Sequence, residues 1–139
     1  WRAEPSMRAP PGYQQVPHLV EGLEMGRPGA RMQHAAVARG NKIFALGGCD
    51  GWAVLKTVES LDTRALHQEW QREPDLTVAR SGLAAAECNG RIFAVGGWDQ
   101  HRDLSVVESL GRGSKAWREE PSLRVPRSSL GVATLWDLA

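Results

Sequence analysis

The sequence RSGLAAAECNGRIFAVGGWDQHRDLSVVESL, residues 80–110, repeats an earlier part of the same chain. The earlier copy, RMQHAAVARGNKIFALGGCDGWAVLKTVESL, covers residues 31–61. The two copies align without a gap at an offset of 49 residues, and about 14 of the 31 aligned positions are identical. A fixed period of roughly 20–50 residues is typical of repeat architectures. The repeat is therefore the unit from which the fold is predicted.

A second motif closes each repeat. The tails WRAEPSMRAP, WQREPDLTVA and WREEPSLRVP begin at Trp1, Trp70 and Trp117, and all three read W-x-x-E-P-x-[Leu or Met]. The head of the repeat also starts a third time, as RSSLGVATL from Arg127. The chain therefore contains the end of one repeat, two complete repeats and the start of another.

Each complete repeat predicts four short strands. In the second repeat, LAAAE at 83–87 is a small-residue strand, and the Asn-Gly at 89–90 predicts a tight turn. RIFAVGG at 91–97 predicts a buried strand that ends at the glycines, and LSVVESL at 104–110 alternates apolar and polar residues. The segment KAWREEP at 115–121 predicts a short outer strand that stops at a proline. Four strands in about 47–49 residues are typical of one blade of a β-propeller.

The double glycine, the acidic residue two positions later, the V-E strand and the closing Trp together resemble the Kelch repeat. The resemblance implies an all-β fold, a partial Kelch β-propeller with two complete four-stranded blades and flanking strands of adjacent blades. Two departures stand out. Leu61 and Leu110 occupy the place of a common Tyr, and Gln100 occupies the place of a common Gly.

The organisation that follows has five parts. Residues 1–10 are predicted to be the outer strand of an upstream blade, 31–79 and 80–126 to be Kelch repeats, and 127–139 to start a further repeat. Residues 11–30 interrupt the period as an irregular insertion. The insertion could be a binding loop or lid, a flexible segment without a role, or a joint between exons. An open arc of blades would expose large apolar faces, so we expect residues 1–139 alone to be aggregated or marginally folded, as a fragment of a larger propeller.

Residues that recur in both repeats are expected to support the scaffold. The glycine pairs would let strands lie close together near the propeller axis, and the closing tryptophans would pack between blades. Glu59 and Glu108 would form structural ion pairs or hydrogen bonds. Asp50 and Asp99 would brace their own loops. The structural set is Gly47, Gly48, Trp70, Gly96, Gly97 and Trp117.

Function is expected where the copies differ. The loops CDGWAVL and WDQHRDL, between the second and third strands, differ at most positions, and Trp and Arg are favoured anchors of protein interfaces. In antiparallel blades these loops open on the same face as the connections between blades. The Kelch resemblance implies that this face binds acidic or polar peptides. The alternative is that the loops are solvated and the arginines only stabilise turns. The candidate partner-binding residues are Trp52, Arg80, Ser81, Trp98, His101, Arg102, Arg127 and Ser128.

Composition and motifs argue against several other classes. With 17 basic and 16 acidic residues, the chain has no charge excess for nucleic acid or membrane binding. His18, His34, His67 and His101 show no metal-ligand or catalytic spacing. The segment HRDL resembles a kinase catalytic loop, but it occupies nearly the repeat slot of AVLK at 53–56. We therefore predict no enzyme activity, metal or cofactor.

The resemblance also implies a biological setting. Kelch repeats commonly follow BTB and BACK domains in substrate adaptors of cullin ubiquitin ligases, so a protein-interaction module that recognises a ligase substrate is the first hypothesis. A cytoskeletal or scaffolding Kelch protein is the second. A sugar-directed enzyme is the third, although Kelch-like copper oxidases use tyrosine ligands and this chain has one Tyr, Tyr13. Two cysteines without disulfide or metal spacing favour a reducing, cytoplasmic location.

Overall fold

The computed structural model describes residues 30–135, and within them every regular element is a β-strand. The eight strands are β1 (Ala35–Arg39), β2 (Lys42–Leu46), β3 (Val58–Asp62), β4 (Trp70–Glu73), β5 (Ala84–Cys88), β6 (Arg91–Val95), β7 (Val107–Leu110) and β8 (Arg118–Glu120). They form two four-stranded sheets, ordered β1-β2-β3-β4 and β5-β6-β7-β8. The predicted all-β fold with two four-stranded blades is confirmed.

Both sheets are antiparallel meanders in the same register. Phe44 pairs with Ser60 in the first sheet, and Phe93 pairs with Ser109 in the second. Because strand neighbours in the sheet are also neighbours along the chain, every connection inside a sheet is a simple turn or loop. The repeated sequence therefore produces two copies of one blade.

The first turns of the two blades differ in their backbone. In the β1–β2 turn of the first blade, only Gly40 has a positive φ, at 60°. In the second blade Asn89 and Gly90 both have positive φ, at 51° and 79°, as a type I′ hairpin turn requires. The order of glycine and asparagine is exchanged between the copies, so each turn places its glycine where its own geometry needs it.

The hydrophobic core lies within and between the blades. Phe44 and Leu46 of β2 are fully buried, as are Ile92 and Ala94 of β6. Trp117, just before β8, is also buried, and its indole Nε1 donates to the carbonyl oxygen of Pro74 in the first repeat at 2.8 Å. A single side chain thus joins two blades by apolar burial and one hydrogen bond. Trp70, in β4, is half-buried.

The glycine pairs end strands β2 and β6, where the chain of the next connection passes very close. A Cβ on Gly47 would lie 2.5 Å from the carbonyl oxygen of Arg80, and one on Gly96 would lie 2.5 Å from that of Arg127. Gly48 and Gly97 also have positive φ and similarly close carbonyl neighbours. No side chain fits beside the passing backbone at these positions.

Glu59 and Glu108, at matching positions of β3 and β7, each bind a buried arginine. Arg31 Nη2 lies 2.8 Å from Glu59 Oε2, and Arg80 Nη2 donates to Glu108 Oε2. The arginines are the first residues of the two repeats, 49 positions apart. The predicted structural ion pairs are therefore confirmed.

The same ion pairs correct one prediction. Arg80 was expected to present its charge on the binding face, but it has no exposed surface. Its Nη1 also donates to the carbonyl oxygens of Gly96 at 3.0 Å and Val106 at 2.9 Å. The carboxylate of Glu108 and these carbonyls draw the side chain inward. Ser81 is buried as well, and so neither residue offers its side chain to a partner in this structure.

Several predicted segments fall at the edges of the described region. The outer strand at 1–10 and residues 11–29 of the insertion lie outside the described residues. Residues 127–139 were predicted to start a further repeat, and the described part of this segment, 127–135, forms no strand. The segment nevertheless bonds the second blade through its backbone, with Gly97 N donating to Arg127 O at 3.0 Å. The equivalent bond in the first blade, from Gly48 N to Arg80 O, is 2.9 Å.

Candidate partner-binding face

The long loops and the inter-blade connections lie side by side at one end of the blades. Gly48 and Leu55 of the β2–β3 loop exchange backbone bonds with Arg80, at 2.9 and 3.0 Å. In the next blade, Trp98 and Ser81 pair reciprocally, at 2.8 and 3.0 Å. We call the surface formed by loops 47–57 and 96–106 and connections 74–83 and 121–130 the loop face.

Each loop is held in shape by an aspartate. Asp50 Oδ1 accepts from the amides of Trp52 and Ala53, both at 2.9 Å. Asp99 Oδ1 accepts from the amides of His101 at 2.9 Å and Arg102 at 3.0 Å. These amide bonds are the largest influence that lowers the pKa of Asp99, because they stabilise the charged carboxylate. The prediction that these residues brace their loops is confirmed, and the loop tips are therefore ordered in advance of any contact.

Two tryptophans are exposed on the loop face. Trp52 is 62% exposed, and Trp98 is 40% exposed. Large aromatic side chains bury much apolar area on folding, so two of them in solvent on neighbouring loops form an unusual surface. The exposed indoles are the features of this face that most resemble interface anchors.

Gln100 joins the two loops. Its Nε2 donates to the backbone oxygen of Trp52 at 3.2 Å, across a sequence separation of 48 residues. Its φ is +83°, in the left-handed region that costs a non-glycine residue about 1–3 kcal/mol. The equivalent residue of the first blade is Gly51, with φ +94°. The second blade thus keeps the backbone conformation of a glycine while carrying a side chain that reaches its neighbour.

The remaining candidates lie around these loops. His101 and Arg102 are exposed at the tip of the second loop, and the Arg102 side chain is 80% accessible with only a distant ion pair, at 3.8 Å, to Asp99. Arg127 is exposed in the following connection. Ser128 Oγ donates to Asp103 Oδ1 at 2.7 Å, which ties this connection to the second loop.

The sequence interpretation missed Gln100 and Asp103 as parts of this surface. Gln100 had a detectable signal, because it replaces a common glycine, but the departure was taken only as divergence of the repeat. Asp103 had none, since nothing in the sequence shows that Ser128 faces it. No group of acidic, cysteine or histidine side chains within residues 30–135 has the arrangement of a metal site.

Two antiparallel four-stranded blades, glycine-ended inner strands and an inter-blade tryptophan define this chain as a segment of a β-propeller. The family model of the Kelch motif matches residues 30–77 and again 79–124. The chain belongs to the Kelch-repeat family.

Comparison with solved structures supports the same fold. The chain is similar to the protein in "Structure of YjhT", with a TM-score of 0.68 and 12% sequence identity. The match covers 75% of this chain and 31% of that one, so the chain spans about a third of the length of the matched protein. A search of curated proteins found no match. No helix within residues 30–135 is long and apolar enough to cross a bilayer.

Proposed function

We propose that this chain is the recognition part of a non-enzymatic Kelch propeller, and that it binds a protein partner on the loop face. The Kelch family and the propeller fold support an interaction module in general. The finer assignment, substrate recognition for a cullin-type ubiquitin ligase in a cytoplasmic parent protein, rests on the resemblance to BTB-Kelch adaptors.

One observation carries the proposal: Trp52 and Trp98 are exposed on neighbouring loops that Gln100 joins across the blade boundary. Solvent exposure of a large aromatic side chain is unfavourable, whereas its burial in an interface contributes strongly to affinity. The aspartate-braced loops hold these side chains without ordering cost at the moment of binding. The surface is therefore suited to bind a segment with apolar groups.

The charged residues of the same face suggest the character of the partner. Arg102 is exposed beside Trp98 and its only ion pair in the described region is a distant one. His101 is its neighbour at the loop tip. A partner with one or two acidic groups next to its apolar groups would complement this arrangement. Arg80 and Ser81 are not part of the proposed contact surface, because their side chains are buried.

The proposal is tested by comparing proteins captured by the parent protein and by its Trp52→Ala/Trp98→Ala variant, using quantitative mass spectrometry. Partners that depend on the loop face should be depleted about tenfold or more, since hot-spot tryptophans each contribute about 2 kcal/mol or more. Leu66→Ala is the matched control. Leu66 is also a large apolar residue, 96% exposed, but lies in the β3–β4 loop at the other end of the blade.

The ligase assignment has its own readout in the same experiment. A cullin subunit captured equally by the wild type and the loop-face variant would support it, because the ligase scaffold would bind elsewhere in the parent. Capture of cytoskeletal proteins that depends on the tryptophans would support the scaffolding alternative instead. Identical capture by wild type, loop-face variant and control would remove the loop face from consideration as a binding surface.

A further inference from the structure

Four residues of the described region other than glycine have a left-handed backbone. Their φ values are +53° at Gln33, +51° at Asn89, +83° at Gln100 and +52° at Ser129. This conformation is uncommon for residues with a side chain, and asparagine tolerates it better than glutamine or serine. Asn89 belongs to the β5–β6 turn, whose type requires a positive φ. The other three residues have no such explanation in their own residue type.

Gln33 and Ser129 occupy the same position of the repeat. The matching residue of the second repeat is Gly82, which lies 49 positions after Gln33 and 47 positions before Ser129. Its φ is +59°, so the fold requires a left-handed residue at this point, and glycine meets that requirement without strain. Gln100 stands in the same way where the first loop has Gly51. Three positions that suit glycine thus carry an amide or hydroxyl side chain.

Gln33, Gly82 and Ser129 form one row on the loop face. Gly82 N donates to Gln33 O at 2.8 Å, and Ser129 N donates to Gly82 O at 2.8 Å. The segment of Gln33 also adjoins loop 47–57, because Met32 and Cys49 exchange two backbone bonds of 2.9 Å. Gln33 and Ser129 are both exposed. The two side chains therefore lie on either side of a glycine, on the surface that carries the exposed tryptophans.

These two side chains gain little from the fold. Gln33 Oε1 lies 3.9 Å from Cys49 Sγ, which is a weak contact, and its Nε2 donates to no residue of 30–135. Ser129 Oγ makes no hydrogen bond within the same range. Neither bonding nor burial in the described region thus compensates for the strained backbone. Strain that is kept in this way is concentrated at functional sites.

The chemistry of the two side chains suits a peptide main chain. A carboxamide and a hydroxyl each donate and accept hydrogen bonds, and neither carries a charge. The N–H and C=O groups of an extended segment need both kinds of partner. Acidic side chains pair better with a guanidinium group, and Arg102 supplies one at the tip of the second loop.

We propose that Gln33 and Ser129 are partner-binding residues that hydrogen-bond the main chain of an extended peptide segment on the loop face. This inference rests on the proposed partner-binding function of that face. Trp52 and Trp98 contact apolar groups of the same segment. The strain at Gln33 and Ser129 is retained because a side chain at these positions contributes to binding, which a glycine cannot do.

The test begins with peptides selected on the parent protein from a displayed library of random dodecapeptides. Peptides that no longer bind the Trp52→Ala/Trp98→Ala variant are kept as loop-face ligands and synthesised. Calorimetry then measures their affinity for three further variants. These are Gln33→Gly/Ser129→Gly, Gln33→Ala/Ser129→Ala and Asn89→Gly.

Both double variants should bind these peptides about tenfold more weakly, because each has lost two neutral hydrogen-bonding groups. The glycine variant should also unfold at a higher temperature than the wild type, since it relieves two strained residues. The alanine variant keeps the strain and should not gain stability. Asn89→Gly is the matched control, because it removes a left-handed side chain at the opposite end of the blade. It should bind the peptides like the wild type.

Peptides with a methyl group on a single main-chain nitrogen show which atoms are recognised. Methylation of a contacted amide should weaken binding to the wild type about fivefold or more, because the nitrogen no longer donates. The same methylation should have little further effect in Gln33→Ala/Ser129→Ala. Equal losses in the two proteins would refute recognition of the main chain by these residues.

Other results would also overturn the inference. Unchanged affinity in both double variants would do so, and weakening in the glycine variant alone would point to a more flexible backbone instead. A lower unfolding temperature of the glycine variant would show that the side chains serve the fold. If no selected peptide depends on the tryptophans, the proposed partner surface fails and this inference fails with it. Peptides that depend on the tryptophans but not on Gln33 and Ser129 would refute this inference alone.

Discussion

The buried pair of Arg80 and Glu108 provides the sharpest test of how the blades are held together. Replacing Glu108 by Gln keeps the shape of the side chain but leaves the Arg80 guanidinium charged, with 0% of its surface exposed. Two carbonyls would remain as its acceptors, and its Nε already has no hydrogen-bond partner in the described region. Glu108 also accepts from the amide of Thr77 at 2.9 Å, in the connection between blades.

Removing one partner of a buried ion pair costs about 3–5 kcal/mol, because an uncompensated charge is left in the interior. That is a large part of the roughly 5–15 kcal/mol by which a domain is stable. We expect Glu108→Gln to lower the free energy of unfolding by about 3–5 kcal/mol, a factor of about 10²–10⁴ in the unfolding constant. Glu108→Ala should cost more, since the acceptor for Thr77 is lost as well.

Urea unfolding of the parent protein, followed by tryptophan fluorescence, measures this difference. Lys56→Gln is the control, because Lys56 is 60% exposed and lies 4.0 Å from Asp75, and exposed pairs contribute about 0–1 kcal/mol. Amide hydrogen exchange at Thr77 gives a local readout and should accelerate most in Glu108→Ala. If Glu108→Gln costs no more than Lys56→Gln, the Arg80 charge is compensated in some other way and the reasoning is wrong.

Three further predictions concern the glycines and the second loop. Gly96→Ala and Gly113→Ala both place a side chain at positive φ, 61° and 68°, but only at Gly96 would the new Cβ lie 2.5 Å from a carbonyl oxygen. Thermal unfolding should therefore show Gly96→Ala to be less stable than Gly113→Ala by about 1–3 kcal/mol. Equal losses of stability in the two variants would refute the close approach. The pKa of Asp99 is lowered from its ordinary 3.8 by backbone amide bonds, so its contribution to stability is present above that pH and is lost as the pH falls through the folded pKa. An NMR titration of its carboxyl carbon should therefore have a midpoint below 3.8, and a midpoint at or above that value would contradict the assignment. Gln100→Gly should raise stability by about 1 kcal/mol by removing left-handed strain and should weaken partner capture by releasing Trp52; a fall in stability would show that the hydrogen bond outweighs the strain.

Much of the fold could be predicted from the sequence because the two copies of the repeat can be compared with each other. Identical residues at a fixed offset marked what each blade needs, namely the glycines that end β2 and β6, the acids of β3 and β7, and the closing Trp117. These requirements are local or recur in every blade. They are the absence of a Cβ at the glycines, the alternation of apolar and polar residues along a strand, and an apolar side chain at the boundary between blades. The structure accordingly confirmed two four-stranded blades, paired acids and aspartate-braced loops.

What the sequence could not determine was which residues face each other across the blade boundary. Arginine is a common binding residue, so the sequence alone favoured Arg80 as a contact for a partner. Only the tertiary structure shows that Arg80 is buried and donates to Glu108, 28 positions later. Gln100 reaching Trp52 and Arg112 lying between two turns are likewise contacts between blades. Their distances depend on how one sheet packs against the next, and a repeat period carries no information about that packing. The sequence thus determined the blade, while the packing of blade on blade decided which charges are buried and which stay exposed.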